Sequence, residues 1–286
     1  MQKLTFRWQN QEICLSDRSP IILSSLNLGE AYRENISNKN WGSSGVSVVS
    51  SKVGARTITA RCTLLCKSEK ELFDMRKKIT SVLNPARHDG TLFYFNGFKE
   101  YQIAASVETS IVFEEFLGGR RGQFFTVRFF CKNPLFLEPL EVQKEFRETL
   151  PMIIFPLTIK ENLVFSSLSG TELRVNNRGD AEAGVRIEVF GPVRNPVIEN
   201  QTTGEKIVLQ TSLLGGEKAV ITTHFSDKKV VIYRQSGESF NAFHLISSET
   251  VFFSLASGIN RVRFYGSQGD DLARCKMAFR EGYFAA

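Results

Sequence analysis

Residues 177–200 read Asn-Arg-Gly-Asp-Ala-Glu-Ala-Gly-Val-Arg-Ile-Glu-Val-Phe-Gly-Pro-Val-Arg-Asn-Pro-Val-Ile-Glu-Asn, and this stretch decides the fold. Val185, Ile187 and Val189 alternate with Arg186 and Glu188. A period of two sends successive side chains to opposite faces, so the run is a half-buried β-strand. Turn-forming residues bracket it, Gly179-Asp180 ahead and Gly191-Pro192 behind. Gly191 can take the positive φ of a sharp reversal. Pro192 fixes φ and withholds a ladder donor, so the chain leaves the sheet there. A second short run, Pro196-Val197-Ile198, follows, and then the turn Thr202-Thr203-Gly204. Nothing in the stretch is chemically reactive. It reads as the middle of an antiparallel sandwich.

The same pattern fills the rest of the second half. Short strands are predicted over 163–168, 171–175, 185–190, 197–199, 206–209, 218–222, 230–233, 252–255, 261–264 and 273–279. Turn signals recur about every ten residues, as in a sandwich or jelly roll.

The first half is also strand-rich. Residues 1–30 form a short meander around Leu4, Phe6, Trp8, Ile13 and Leu15. Residues 34–45, rich in Asn, Ser and Gly around Trp41, read as an exposed loop of the kind used for contact. A strong strand over 54–66 precedes the one convincing helix. There Ser68 and Glu71 form a capping box, and Leu72, Met75, Ile79, Val82 and Leu83 recur on one face before Asn84-Pro85 stops the helix. A lone amphipathic helix among strands lays its apolar face on a sheet. Asn96-Gly97 marks a hairpin. Residues 111–116 and 123–131 flank Leu117-Gly118-Gly119-Arg120-Arg121-Gly122, which reads as a long hairpin with a flexible basic tip. The charged, proline-containing segment 137–160 reads as a linker between a domain at 1–136 and a second at 161–286.

Composition narrows the function. No apolar run approaches a membrane span, so no membrane insertion is expected. The polar N-terminus carries no signal-peptide core, which points to a protein made and folded in a cytoplasm. The five cysteines fit no zinc pattern and read as reduced thiols. The net charge of +6 comes from scattered Lys and Arg, with no nucleic-acid-binding motif. His88, His224 and His244 lack metal-site spacing, so no metal is expected. Glu114-Glu115 and Asp270-Asp271 are adjacent pairs that point to opposite strand faces, and so are poor acid–base couples. The glycines at 118–122 precede no helix that could hold a phosphate. No cofactor is expected, and the chain reads as non-enzymatic by elimination. Arg178-Gly179-Asp180 spells an adhesion tripeptide but occupies a turn before a strand.

The order of features resembles phage distal tail proteins, the Dit family of siphovirus-type tails. In the first half the resemblance rests on 55–60, the capped helix, Leu83-Asn84-Pro85, Gly90-Thr91-Leu92, Tyr101-Gln102-Ile103 and Asn133-Pro134-Leu135-Phe136. In the second it rests on Asn177 to Asp180, Gly184, Ile187-Glu188, Gly191-Pro192, Asn195-Pro196, Ile198, Asn200, Thr202 to Glu205, Thr222-Thr223, Leu255 and Gly258-Ile259-Asn260. The chain departs from the pattern after Tyr265, where 266–271 make a longer loop.

The resemblance implies a mainly β protein. Its N-terminal domain would be a sandwich or barrel-like ring-former with one helix, and its C-terminal domain a galectin-like or jelly-roll sandwich projecting outward. It implies a homohexameric ring at the virion tail tip, assembled in the bacterial host cytoplasm. The ring would join the major tail tube protein to the tail-tip protein and carry the receptor-binding protein, with DNA only in transit. The Phe-rich strands 92–98 and 124–130 would supply apolar ring edges, and Arg120, Arg121 and Trp41 are candidate inter-subunit or ring-stacking contacts. Gly179, Gly191, Pro192, Asn195, Pro196, Gly204, Gly258 and Asn260 would shape the second domain. The alternative is a carbohydrate-binding module recognising host cell-wall glycans. A hydrolase on a sandwich scaffold lacks a candidate acid–base pair.

Overall fold

The computed structural model describes residues 2–38, 42, 44–116, 119–146, 171–268 and 273–286. The chain separates into two units, Met1–Pro139 with Tyr283–Ala286, and Leu140–Gly282.

The first unit begins with β1 (Lys3–Trp8), β2 (Gln11–Leu15) and β3 (Ile21–Asn27). Then come β4 (Arg33–Asn38), β5 (Ser47–Val53), β6 (Arg56–Leu65) and the helix α1 (Glu69–Val82). Strands β7 (Gly90–Phe95), β8 (Glu100–Val107), β9 (Phe113–Phe116), β10 (Gly119–Cys131) and β11 (Phe136–Leu137) complete it. The main sheet runs β2-β1-β7-β8-β10-β6-β3. Its two edge strands are consecutive in the chain and meet at Ser16, whose carbonyl accepts from Leu23 N–H at 2.6 Å. The sheet therefore curls toward a barrel.

Register explains the core. In β6 and β10, Cys62 faces Phe125, Ala60 faces Val127 and Ile58 faces Phe129, all buried. The intervening Phe124 and Phe130 point the other way and stay partly exposed. The phenylalanines at 124–130 are thus divided by the pleat between core and surface; they do not form one apolar edge. Helix α1 buries Leu72, Ile79 and Val82. Ser68 Oγ accepts from Glu71 N–H at 3.2 Å, and the Glu71 carboxylate accepts from Lys67 N–H at 2.8 Å. The reciprocal cap thus reaches one residue further back than a capping box.

The second unit begins with β12 (Val142–Phe146), which pairs with a strand more than a hundred residues later. The expected linker over 137–160 therefore starts with residues that belong to sheets, and 147–170, including the predicted strand at 163–168, lies outside the described residues. Next come β13 (Thr171–Asn177), β14 (Ala183–Phe190), β15 (Val193–Arg194) and β16 (Val197–Asn200). Then follow β17 (Glu205–Val208), β18 (Ser212–Leu213), β19 (Lys218–His224), β20 (Asp227–Tyr233) and β21 (Ser239–Asn241). Last are β22 (Ser254–Leu255), β23 (Gly258–Tyr265) and β24 (Arg274–Phe279); the chain then forms β25 (Gly282–Tyr283), which belongs to the sheet of the first unit through its pairing with β11. One sheet runs β12-β24-β14-β19-β20-β21 and a second β13-β23-β16-β17. Between them lie Val185, Ile187, Val189, Ile198, Val262 and Met277, in one apolar cluster. The alternation of the opening stretch is the inner face of that sandwich.

The chain ends in the first unit. Tyr283 Oη donates to Glu138 Oε1 at 2.9 Å, and Arg56 Nη2 donates to the Phe284 carbonyl at 2.6 Å. Described residues thus place 283–286 outside the second domain that the sequence suggested.

Candidate functional site

Residues 33–38 and 47–53 pair as the two strands of a hairpin, where the sequence suggested a loop over 34–45. Strands β4 and β5 pair only with each other among the described residues, as a two-stranded sheet. Every residue of β5 is exposed. Ile36, Val48 and Val49 are 57%, 54% and 64% exposed. An isolated hairpin is marginal in water, and apolar side chains left on both faces gain from a second surface. Trp41, in sequence between the two strands, lies outside the described residues.

The turn between β7 and β8 presents a second apolar group. Asn96 Oδ1 accepts from Phe98 N–H at 3.0 Å and Lys99 N–H at 2.9 Å, while Asn96 N–H donates to the Lys99 carbonyl at 3.1 Å. These bonds fix the turn and leave Phe98 97% exposed. A rigid, exposed aromatic is the residue type that anchors interfaces.

Arg120 and Arg121 do not form a hairpin tip. They lie within β10, where the pairing with β9 shifts register between Gly119 and Gln123. The Arg121 carbonyl accepts from Cys66 N–H at 3.0 Å, and its side chain is exposed. Leu117 and Gly118 lie outside the described residues.

In the second unit the turn residues are scaffold. Asn177, Asn200 and Asn260 are fully buried at strand ends. Asn177 Nδ2 donates to the Ala181 and Leu255 carbonyls at 2.9 and 3.1 Å. Asn260 accepts from Ala256 N–H at 3.0 Å and donates to the Ala256 and Gly258 carbonyls. These amides satisfy backbone groups that strand ends leave unpaired. A side chain at Gly179 would meet the Gly282 carbonyl at 2.5 Å, and one at Gly191 the Leu214 carbonyl at 2.3 Å. Close packing accounts for Gly191, which is not among the positive-φ residues as the sequence suggested. Asn195 does take positive φ, ahead of Pro196, whose carbonyl accepts from Leu209 N–H. Gly204 takes positive φ in the turn before β17 and Gly258 at the first position of β23, and Pro192 leads into β15. Arg178 is held by the buried Glu281 carboxylate, which ties the adhesion-like tripeptide into the fold.

The reactive groups are dispersed. Among the described residues no three His, Cys, Asp or Glu side chains converge to hold a metal ion. Burial pushes the thiols of Cys62 and Cys131 up to about 12. No helix among the described residues is long and apolar enough to cross a membrane.

Residues 11–131 match the phage tail protein RIFT-related domain, and residues 178–283 match the C-terminal domain of the siphovirus-type tail component. Among solved structures, the SPP1 Dit protein, described as a paradigm of the hub adsorption apparatus in phages infecting Gram-positive hosts, is similar with a TM-score of 0.66 and 13% identity. The match covers 99% of each chain. A chain of the phage P2 baseplate in its activated conformation with Ca is similar with a TM-score of 0.53 and 12% identity, covering 98% of this chain and 97% of that one. No curated protein sequence matches the chain.

Proposed function

The chain belongs to the Dit family of siphovirus-type distal tail proteins, and we propose that it is the hub of a phage tail tip, working as a structural component. Six copies close into a ring through the first unit. The ring extends the tail tube, lets DNA pass, and carries the tail-tip and receptor-binding proteins. The observation that carries this reading is the order of two tail domains along one chain, 11–131 then 178–283.

Cyclic assembly joins two different patches on each subunit. The exposed β4–β5 hairpin and the Phe98 turn supply apolar surface for such patches. Arg120, Arg121 and Trp41 are the further polar and aromatic contacts proposed for ring assembly. Retention of the tail tube protein on the immobilised chain tests the hub role. Retention that drops at least tenfold with Phe98→Ser supports it. A chain that retains no tube protein, while folded, contradicts it.

A further inference from the structure

The outward face of the larger sheet in the second unit carries an arrangement that the hub role does not use. Strand pairing places Gln143, Ala278 and Arg186 in one cross-strand row, and Glu145, Lys276 and Glu188 in the next. A third row reads Arg274, Phe190, Lys218 and Tyr233. The first two rows line a groove of about 350 Å³, a size suited to a small ligand.

Three cations surround one ring in the third row. Arg274, Lys276 and Lys218 lie 5.5, 5.7 and 5.9 Å from the Phe190 centroid. Lys218 is also 5.2 Å from the Tyr233 ring. A ring quadrupole holds a cation without neutralising it. None of the three forms an ion pair with a carboxylate among the described residues; Lys276 stands between Glu145 and Glu188 in its row, whereas Arg274 and Lys218 have only Phe190 and Tyr233 as row neighbours and would gain from an anion.

The groove beside them differs in chemistry. Arg186 and Glu188 are hydrogen-bonded to each other, and Gln143 adds an amide. Donors and acceptors side by side suit hydroxyl groups, which both donate and accept. A plain polyanion would instead be repelled by Glu188. Rows on one face are about 7 Å apart, roughly the reach of one sugar or polyol unit.

We propose that this face binds an acidic glycan or polyol polymer, with hydroxyl groups in the groove at Gln143, Arg186 and Glu188 and the anionic group at Lys218, Arg274 and Lys276. The anion is a phosphodiester or a uronate carboxylate; both present the same charge to the cations.

Calorimetric titration of the full chain with poly(glycerol phosphate), polygalacturonate, neutral dextran and duplex DNA tests this. One of the acidic polymers binds, and which one identifies the anion. Binding weakens with salt, and at least tenfold in Arg274→Gln/Lys276→Gln. Glu188→Gln is the deciding variant. It weakens binding if the carboxylate accepts from hydroxyl groups, and strengthens it if the face attracts anions alone. Failure of both acidic polymers to bind overturns the proposal. So does tighter binding by Glu188→Gln, or duplex DNA binding as tightly as the polymers. None of these results bears on ring assembly, which resides in the first unit.

Discussion

Arg178 Nε lies 3.0 Å from Oε1 of Glu281, and the Glu281 side chain is only 2% exposed while that of Arg178 is 69% exposed. The same carboxylate accepts from Arg178 N–H at 3.3 Å. The pair fastens the turn before β14 to the end of the sandwich. Arg178→Ala leaves a buried carboxylate short of a charged donor and costs about 2–3 kcal/mol of stability. Arg178→Lys keeps the charge and recovers part of the loss. Urea unfolding of the two variants measures the difference; equal stability in all three proteins would show that the pair contributes nothing.

Asn260 is fully buried and satisfies three backbone groups. Asn260→Leu keeps the volume and removes the bonds, taking their partner from the part-buried Ala256 N–H and Gly258 carbonyl and one of two donors from the Ala256 carbonyl. The expected cost is about 2–4 kcal/mol, read as a lower denaturation midpoint at an unchanged slope. A loss under about 0.5 kcal/mol, the range of surface substitutions, would mean that water replaces the amide.

Helix α1 presents opposite faces of unequal importance. Ile79 is fully buried and Phe73 is 68% exposed. Ile79→Ala should cost about 2–5 kcal/mol, from lost burial and the cavity left behind. Phe73→Ser should stay within about 0.5 kcal/mol. If Phe73→Ser proves as costly as Ile79→Ala, the helix packs on the other face.

Burial holds the His224 imidazole below its ordinary value of 6.5, opposed by Glu141 and Asp227 and reinforced by Arg280 and Arg186. The folded state therefore keeps His224 neutral while the unfolded chain takes up a proton. Stability is full above pH 6.5 and declines as pH falls toward the folded value. His224→Gln should flatten the melting temperature between pH 7.5 and 5.5 relative to the parent. Parallel curves for the two proteins would remove His224 as the cause.

Much of the fold was legible where burial imposes a period. Val185, Ile187 and Val189, or Ile58, Ala60, Cys62 and Leu64, alternate because one face meets a core. The β4–β5 hairpin was not legible because neither of its faces is buried, so no alternation marks it. Strands β15, β18 and β25 have two residues each, too short for any period to show. The membership of β12 and of 283–286 depends on pairing with distant residues, which local pattern does not encode. Of the candidate surfaces, Phe98 was readable as a residue beside an Asn-Gly turn. Its exposure was not, since an aromatic next to a turn is as often tucked back into a core. The cation row around Phe190 escaped because its members lie on three strands, and only register brings them together.

The exposed apolar residues of the hairpin separate stability from assembly. Val49→Ser with Ile36→Ser removes no buried contact and should leave the melting temperature of the isolated chain unchanged. It should abolish ring formation. Loss of stability instead would show that the hairpin packs within its own chain.

Native mass spectrometry of the purified chain, alone and with its tail tube protein, tests the hub assignment most directly. The account predicts a species at six times the 32.3-kDa chain mass, formed alone or on the tube protein and absent in the Ile36→Ser/Val49→Ser variant. A monomer under both conditions would contradict it.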